Sequence, residues 1–318
     1  MTVTLREFDP HDYADLACIH NANYPLRSRT ADTFIEADRN RSPKCRARRW
    51  VACVDGRMVG FGAYDQDIYD YHPRRFYIGV SVLPEHQRCS IGAALYDQVM
   101  AGLSGFDPQV LRGNAFSTQP DGLRFLEKRG FREVWRETPN QLDVAGFDPS
   151  PHTGLEQKLR REGFEIKTLR ELEGDPDRDR KVYDLYWQIY DTLPHEESEV
   201  VHMDFEDWAA ATLDEDQTPL EAFLIVTHGE EYIGFKEMCL DPSDRNVLQG
   251  GLLGVLPAYR RRGIALALQL RAIAYARANS YGLIKSSTGA EHGAMQSLFA
   301  KLGYVNLYDW YQMEKRLP

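Results

Sequence analysis

Residues 254–268 read GVLPAYRRRGIALAL, three consecutive arginines and a glycine set directly before an apolar run with helical spacing. The first N–H groups of a helix have no intrahelical partner, and the helix dipole adds partial positive charge at that end. A helix opened by Arg260, Arg261, Arg262 and Gly263 is therefore suited to hold phosphate. Gly263 tolerates positive φ and lets a ligand approach the main chain, while the guanidinium groups offer charge and paired donors. The stretch lacks the GK[ST] of a Walker loop, and no GxGxxG opens a helix, so neither nucleotide fingerprint applies. It fits a pyrophosphate held by main-chain amides.

The elements that must present this loop occur twice. YIGVSVLPEHQRCSIGAALY in the first half answers to GGLLGVLPAYRRRGIALALQ in the second: strand, proline turn, basic loop, small-residue helix. Pro257 follows Pro84 by 173 residues (257 − 84), and Gly303 follows Gly130 by the same 173 (303 − 130). MVGFGAY answers to YIGFKEM at an offset of 174 (234 − 60). Two copies of one fold are expected, not a solenoid, which needs several short repeats. Each copy reads as a short strand and a helix, two apolar strands joined by a turn, the strand with its basic loop, a long helix, and a final strand–helix–strand with a Gly-aromatic pair. That order implies an α/β (α+β) architecture, a mixed sheet flanked by helices. Gly and Pro cluster at 144–154, which divides the chain into domains 1–147 and 155–318.

Composition narrows the function classes. With 43% apolar and 27% charged residues the chain has the profile of a globular protein, and its net charge of −10 argues against general nucleic-acid binding, which rests on phosphate neutralisation. The five cysteines are scattered without metal spacing, which fits reduced thiols and no metal. The N-terminal stretch has no apolar h-region and no run of about 18 apolar residues occurs, so a cytoplasmic protein without a membrane partner is expected.

VLPAYRRRGIALAL resembles the acyl-CoA-binding motif of the GNAT superfamily of N-acetyltransferases, Q/R-x-x-G-x-G/A, here Arg260 to Ala265. SSTGAEHGAMQSLFAKLGY resembles the later strand–helix–strand of that family, ending in Leu302-Gly303-Tyr304. In the first half HQRCSIGAAL matches with Gln87 leading, Ser90 in place of the first glycine and Gly92 last, and FLEKRGF supplies Gly130-Phe131. The likeness covers most of both halves. It implies two tandem GNAT-like domains, each a twisted mixed sheet whose two middle strands splay to admit pantetheine, with acetyl-CoA as cofactor. By the same resemblance Leu253 and Val255 bond the acetyl-pantetheine arm, and the amides of Arg261, Arg262, Gly263, Ile264 and Ala265 take the pyrophosphate. Val80, Val82, Arg88, Ser90, Gly92 and Ala93 are the first-half equivalents. Ser90 adds a side chain where the loop is tight, so the first copy is expected to bind coenzyme A weakly or not at all.

Acetyl transfer to an amine, whose conjugate acid has a pKa of about 10, calls for a general base. Glu237, on the strand that the resemblance places beside the acetyl group, is the candidate, and its alternation with Lys236 decides which of the two faces the cleft. A solvated strand-face carboxylate is the other reading. In the first copy Asp65 or Tyr64 takes that region. The Leu253 N–H can serve the oxyanion. The tyrosine that many family members use as acid is absent, since its positions read Leu298-Phe299 and Phe125-Leu126. Tyr304, Tyr308 or Tyr311 can substitute, although aromatic residues at that density also suit packing. His292 replaces the asparagine often found at the start of the late helix and is placed at the cofactor edge. Glu196, Glu197 and Glu199 attract a cationic amine or form a solvated charge run. His195 and His202 show no metal spacing.

The expectation is an acetyl-CoA-dependent N-acetyltransferase acting in the second copy on a primary amine of a small molecule, as a monomer or homodimer. A non-catalytic acyl-CoA-binding sensor or scaffold and a protein or peptide acetyltransferase are the alternatives.

Overall fold

Apolar runs on either side of each basic loop set the architecture, because strands that are apolar on both faces need helices on both faces. The computed structural model describes residues 2–68, 70–193, 202–241 and 244–318. It divides into two compact units, Met1–Trp135 with Trp310–Pro318, and Arg136–Asp309. Along the chain come β1 (Val3–Glu7), α1 (Tyr13–Asn23), α2 (Ala31–Arg39), β2 (Arg48–Val54), β3 (Arg57–Asp65), β4 (Arg75–Val82), α3 (Ile91–Leu103), β5 (Val110–Phe116) and α4 (Pro120–Glu127). There follow β6 (Arg132–Asp143), α5 (Leu155–Arg161), β7 (Phe164–Thr168), α6 (Arg178–Tyr190), α7 (Phe205–Thr212), β8 (Leu224–His228), β9 (Glu231–Leu240) and β10 (Val247–Val255). The chain ends with α8 (Ile264–Ala278), β11 (Leu283–Gly289), α9 (Gly293–Leu302), β12 (Val305–Asn306) and β13 (Trp310–Arg316).

The sheets repeat one another. The first unit orders its strands β1-β2-β3-β4-β5-β13 and the second β7-β8-β9-β10-β11-β6, with one parallel pair in each, β4–β5 and β10–β11. In sequence β6 ends the first copy and β13 the second, yet β6 pairs along β11 and β13 pairs along β5. The copies thus exchange their last strands. For that reason the compact units break at 135/136 and 309/310, and the 144–154 stretch expected as a linker lies inside the second unit.

Alternation on β9 and β10 decides what meets what in the second unit. Met238, Leu248, Leu253 and Val255 join Ile264, Leu268 and Ala272 of α8 in one core, whereas Phe235 joins Val182, Leu185 and Ile189 of α6 and Trp208 of α7 in the other. Gly254 lets α6 close onto β10: a Cβ there would stand 2.1 Å from Ile189 Cγ2. Among the described residues no helix is long and apolar enough to cross a membrane, and no group of His, Cys, Asp and Glu could hold a metal ion.

Met313 of β13 is 1% exposed and packs with Trp50, Phe76, Leu111 and Phe131 of the first unit. Met313→Ala should lower the unfolding free energy by about 2–5 kcal/mol, the usual cost of emptying such a site. Urea denaturation followed by tryptophan fluorescence checks this; an unmoved midpoint would make β13 a dispensable tail.

Candidate active site

The site begins where two parallel strands stop pairing. β10 and β11 are in register only at Val247–Leu283, Leu248–Ile284 and Gln249–Lys285, after which β10 continues to Val255 while β11 runs on beside β6 to Gly289. Leu256 N donates to Ile233 O at 2.8 Å, which fixes the phase of the β9–β10 ladder. Val255 opposite Gly234 and Leu253 opposite Lys236 are then non-hydrogen-bonded pairs, so both residues turn N–H and C=O away from β9, into the opening. The first unit parts likewise after Tyr77–Arg112, and the Leu83 N donation to Val59 O turns Val80 and Val82 the same way.

The loop beyond each β10-type strand has one backbone form in both copies. Arg261 and Gly263 have φ of 63° and 90°; Arg88 and Ser90 both have 62°. Gly263 adopts this conformation freely, whereas Ser90 pays about 1–2 kcal/mol for it. Neither α3 nor α8 has a side-chain N-cap, and the first intrahelical bond of α8 from the loop is Ala267 N to Gly263 O, so the N–H groups of Ile264, Ala265 and Leu266 point out of the helix end. Arg260 has a different task from its neighbours. Its Nε donates to Val255 O at 2.8 Å and its Nη2 to Thr192 Oγ1 at 2.5 Å, tying the end of β10 to the end of α6. Gln87 does the same in the first copy, donating to Val82 O at 3.0 Å. Arg261 and Arg262 are exposed, the latter 5.8 Å from the Phe164 ring centre. His292, half-buried at the start of α9, has its imidazole pKa lowered by burial and then by the charge of Arg260, so the first turn of α9 looks onto the loop.

At the other end of the opening a β-bulge sets Gly251 and Leu252 opposite the single residue Glu237. Glu237 accepts from Leu252 N at 3.4 Å and lies across Gly251, where a Cβ would stand 2.7 Å from Oε2. Burial raises its carboxyl pKa, against a smaller opposing effect of the Leu252 N–H. Lys236 emerges on the opposite face, 1% exposed, and its Nζ donates to Gly251 O at 3.1 Å. A Cβ at Gly250 would stand 2.8 Å from that Nζ and 3.0 Å from Ser286 Oγ. Burial pushes the Lys236 ammonium down to about 8. Two adjacent glycines thus make room for two adjacent ionisable side chains, one on each face of the sheet. This matching of KE on β9 to GG on β10 was the sequence signal for the pair, and reading the repeat by offset alone passes over it.

The first copy lacks this construction. Gly60 pairs with Val82 as Gly234 pairs with Val255, so Lys236 and Glu237 correspond to Gly62 and Ala63, and no bulge interrupts β3–β4. Neither Tyr64 nor Asp65, the expected alternatives, stands at the base position, which Ala63 occupies whether β3 is matched to β9 at Gly60–Gly234 or at Asp65–Cys239. Tyr64 is 4% exposed and packs edge-on to Phe76. The opening itself is filled. Tyr24 bonds Ser81 of β4 and lies 4.9 Å from the Phe116 ring of β5, bridging the two parted strands. Asn23 Nδ2 donates to Val82 O at 3.1 Å, and Phe125 of α4 reaches within 3.6 Å of where a Gly92 Cβ would be.

The tyrosines expected to supply an acid are dispersed. Tyr304 is 7% exposed in the α8 core, stacked 4.3 Å from Phe299, and burial raises its phenol pKa. Tyr308 is half-buried in the connector between β12 and β13, and Tyr311 lies on β13 in the first unit. Glu196, Glu197, Glu199 and His195 lie outside the described residues. His202 stacks 4.3 Å from Trp187 and shares a 2.8 Å contact with Asp191, at the α6 end. Gln269, missed in the sequence, is 1% exposed on the core side of α8 with neither amide atom partnered.

Comparison with known proteins gives the same picture. The Acetyltransferase (GNAT) family matches residues 180–304, and an Acetyltransferase (GNAT) domain matches residues 46–133. No curated protein matches the chain in sequence. Among solved structures, a GCN5-related N-acetyltransferase from Sphaerobacter thermophilus is 16% identical with a TM-score of 0.75, over 99% of this chain and 95% of that one. A tandem GNAT protein from the clavulanic acid biosynthesis pathway is 14% identical with a TM-score of 0.73, over 99% and 98%. A glucosamine N-acetyltransferase region of a fungal multi-domain β-N-acetylglucosaminidase is 12% identical with a TM-score of 0.72, over 99% of this chain and 38% of that one. At these identities the likeness is one of fold.

The buried ammonium has a measurable consequence. With a folded pKa of about 8 against 10.5 for an ordinary lysine, Lys236 leaves the unfolded state holding the extra proton between those values. Raising pH through that window therefore stabilises the fold, by up to about 3 kcal/mol. The unfolding free energy of wild type should rise relative to Lys236→Met between pH 8 and 10.5, in urea titrations of both proteins; parallel pH profiles would show an unperturbed lysine.

Proposed function

We propose that this chain, an N-acetyltransferase built of two GNAT domains in tandem, transfers an acetyl group from acetyl-CoA to a primary amine of a small molecule and does so in its second domain. The observation that carries the reading is that β10 and β11 part between a glycine-opened helix end and the Lys236–Glu237 pair, a combination absent from the first domain. The residues present fit the donor. The amides from Arg261 to Ala265, with the exposed Arg261 and Arg262, suit a pyrophosphate. The inward-turned N–H and C=O of Leu253 and the N–H of Val255 suit the amides of an extended arm, and the unpartnered Gln269 amide is the kind of buried polar group that a ligand satisfies. The first domain keeps the loop but fills its opening with Tyr24 and Phe125, which supports a structural part for it.

Glu237 takes the role of base. A carboxylate with a raised pKa is a stronger acceptor of the amine proton near neutral pH than an ordinary glutamate. The Leu253 N–H faces the side on which an oxyanion would develop, and a fixed main-chain donor there costs no reorganisation. His292 borders the donor's phosphate end, since it lies near Arg260. A small-molecule acceptor agrees with the glucosamine named for one structural neighbour and with the biosynthetic pathway named for another.

A panel of small primary amines assayed with acetyl-CoA by thiol release tests the activity. Glu237→Gln should lower kcat by about 10²–10⁴ while leaving acetyl-CoA affinity unchanged. In wild type kcat/KM should climb with pH to a plateau as Glu237 loses its proton, with an apparent pKa above the ordinary carboxyl value of about 4.3, and the variant should lose that limb. Full activity in the variant would remove Glu237 from the chemistry.

A further inference from the structure

Lys236 is buried with little to hold it there. Among the described residues it makes one hydrogen bond, to Gly251 O, and no ion pair, so two of its three N–H donors are unused. The charge of Glu237 favours the ammonium, but burial outweighs it; burying an ammonium outside an ion pair costs several kcal/mol, and a methionine of similar length would fill the same core space without that cost. The neighbouring residues are nevertheless cut back to admit it. Gly250 is a position where any side chain would meet Nζ, and Ser286 of β11, whose Oγ donates to Gly250 O at 3.1 Å, is the first residue after the β10–β11 pairing ends. The ammonium therefore lies at the vertex of the opening. By alternation Lys236 shares the α8 face of the sheet with Met238, Leu248 and Ile284, the face whose helix opens at Gly263, while Glu237 lies on the α6 face.

We propose that Lys236 is the proton donor to the departing thiolate of coenzyme A, acting from the face of the sheet opposite the base. This role rests on the acetyltransferase reading of the site above. The acceptor nitrogen uses its lone pair to form the C–N bond at the thioester carbonyl, and Glu237 takes the proton that nitrogen loses. The C–S bond breaks with its electron pair on sulfur, and a proton passes from Lys236 Nζ to that sulfur, leaving a free thiol and a neutral amine. Exchange with solvent restores both side chains. An ammonium pushed down to about 8 is still protonated at neutral pH and nearly matches an alkyl thiol at about 8.5, which suits transfer in that direction.

The test compares coenzyme A with desulfo-coenzyme A, which lacks the sulfur, by calorimetry at pH 8 on wild type and Lys236→Met. Wild type should bind coenzyme A about ten-fold or more tightly than the desulfo compound, the range of a charge-assisted hydrogen bond. Lys236→Met should bind both equally, with its affinity for the desulfo compound unchanged and its melting temperature no lower than wild type. Its kcat should fall while KM for acetyl-CoA holds. A preference that persists in the variant, or none in wild type, would overturn the role of Lys236 and leave the transferase reading standing. A lower melting temperature with the preference intact would make Lys236 a structural anchor of the bulge. Failure of wild type to bind either compound would overturn the acetyl-CoA reading and this role with it. If circular dichroism shows Lys236→Met unfolded, Lys236→Gln, of similar length and uncharged, gives the same comparison.

Discussion

Two parallel strands that pair for three residues and then part leave main-chain donors and acceptors facing each other across a gap, and a fold tolerates that only if each strand is held from behind. β11 is held by β6 in unbroken register from Leu283–Asp143 to Gly289–Glu137. β10 is held by β9, and its last carbonyl, at Val255, is satisfied by Arg260. With both strands anchored on their outer sides, side chains meet part of the inner edge of β10, Ser286 at Gly250 O, Lys236 at Gly251 O and Glu237 at Leu252 N, while the N–H and C=O of Leu253 and the N–H of Val255 stay fixed toward the gap, the preorganisation that the proposed function uses. The first arginine of the basic run thus serves the frame, and in the proposed function the glycine and helix end behind it serve the ligand.

The bulge in β10 is the second half of that arrangement. One extra residue turns Gly251 and Leu252 against Glu237, which takes the carboxylate to one face while Lys236 takes the other. Both groups are taken out of water, and each pKa moves toward neutrality from its own side: the carboxyl up, the ammonium down. Oppositely directed shifts on neighbouring residues are what acid and base roles at one pH require. The first domain keeps the sheet order, the strand divergence and the loop conformation, and replaces the ionisable pair by Gly62 and Ala63 and the gap by Tyr24.

Much of this was legible in the sequence because it is locally encoded. The basic loop is contiguous, so arginines, a glycine and a following helix could be read directly, and the repeat showed the domain count and the parts of each sheet. Three things were not legible. The exchange of β6 and β13 leaves no trace in a repeat, since the period says nothing about which sheet a last strand joins. The bulge is hidden in the offset, since it raises it from 172 at Gln249–Tyr77 to 173 at Val255–Val82 after a shorter β9–β10 turn has lowered it from 174 at Gly234–Gly60; along β9 that 174 already sets Glu237 against Ala63, not Tyr64 or Asp65. Tyr304 sits where a Gly-aromatic pair closes the core, and only its stacking on Phe299 distinguishes a packed phenol from a catalytic one.

The central claim is that one of the two openings takes an acyl-CoA. The most direct measurement is the calorimetric stoichiometry of acetyl-CoA on the intact chain, repeated with Gly263→Val, in which a β-branched residue is forced into the left-handed conformation at φ of 90°. One site per chain, lost in the variant, is the result this account requires. Two sites, or a single site indifferent to Gly263, would contradict it by placing the donor in the domain whose opening Tyr24 fills.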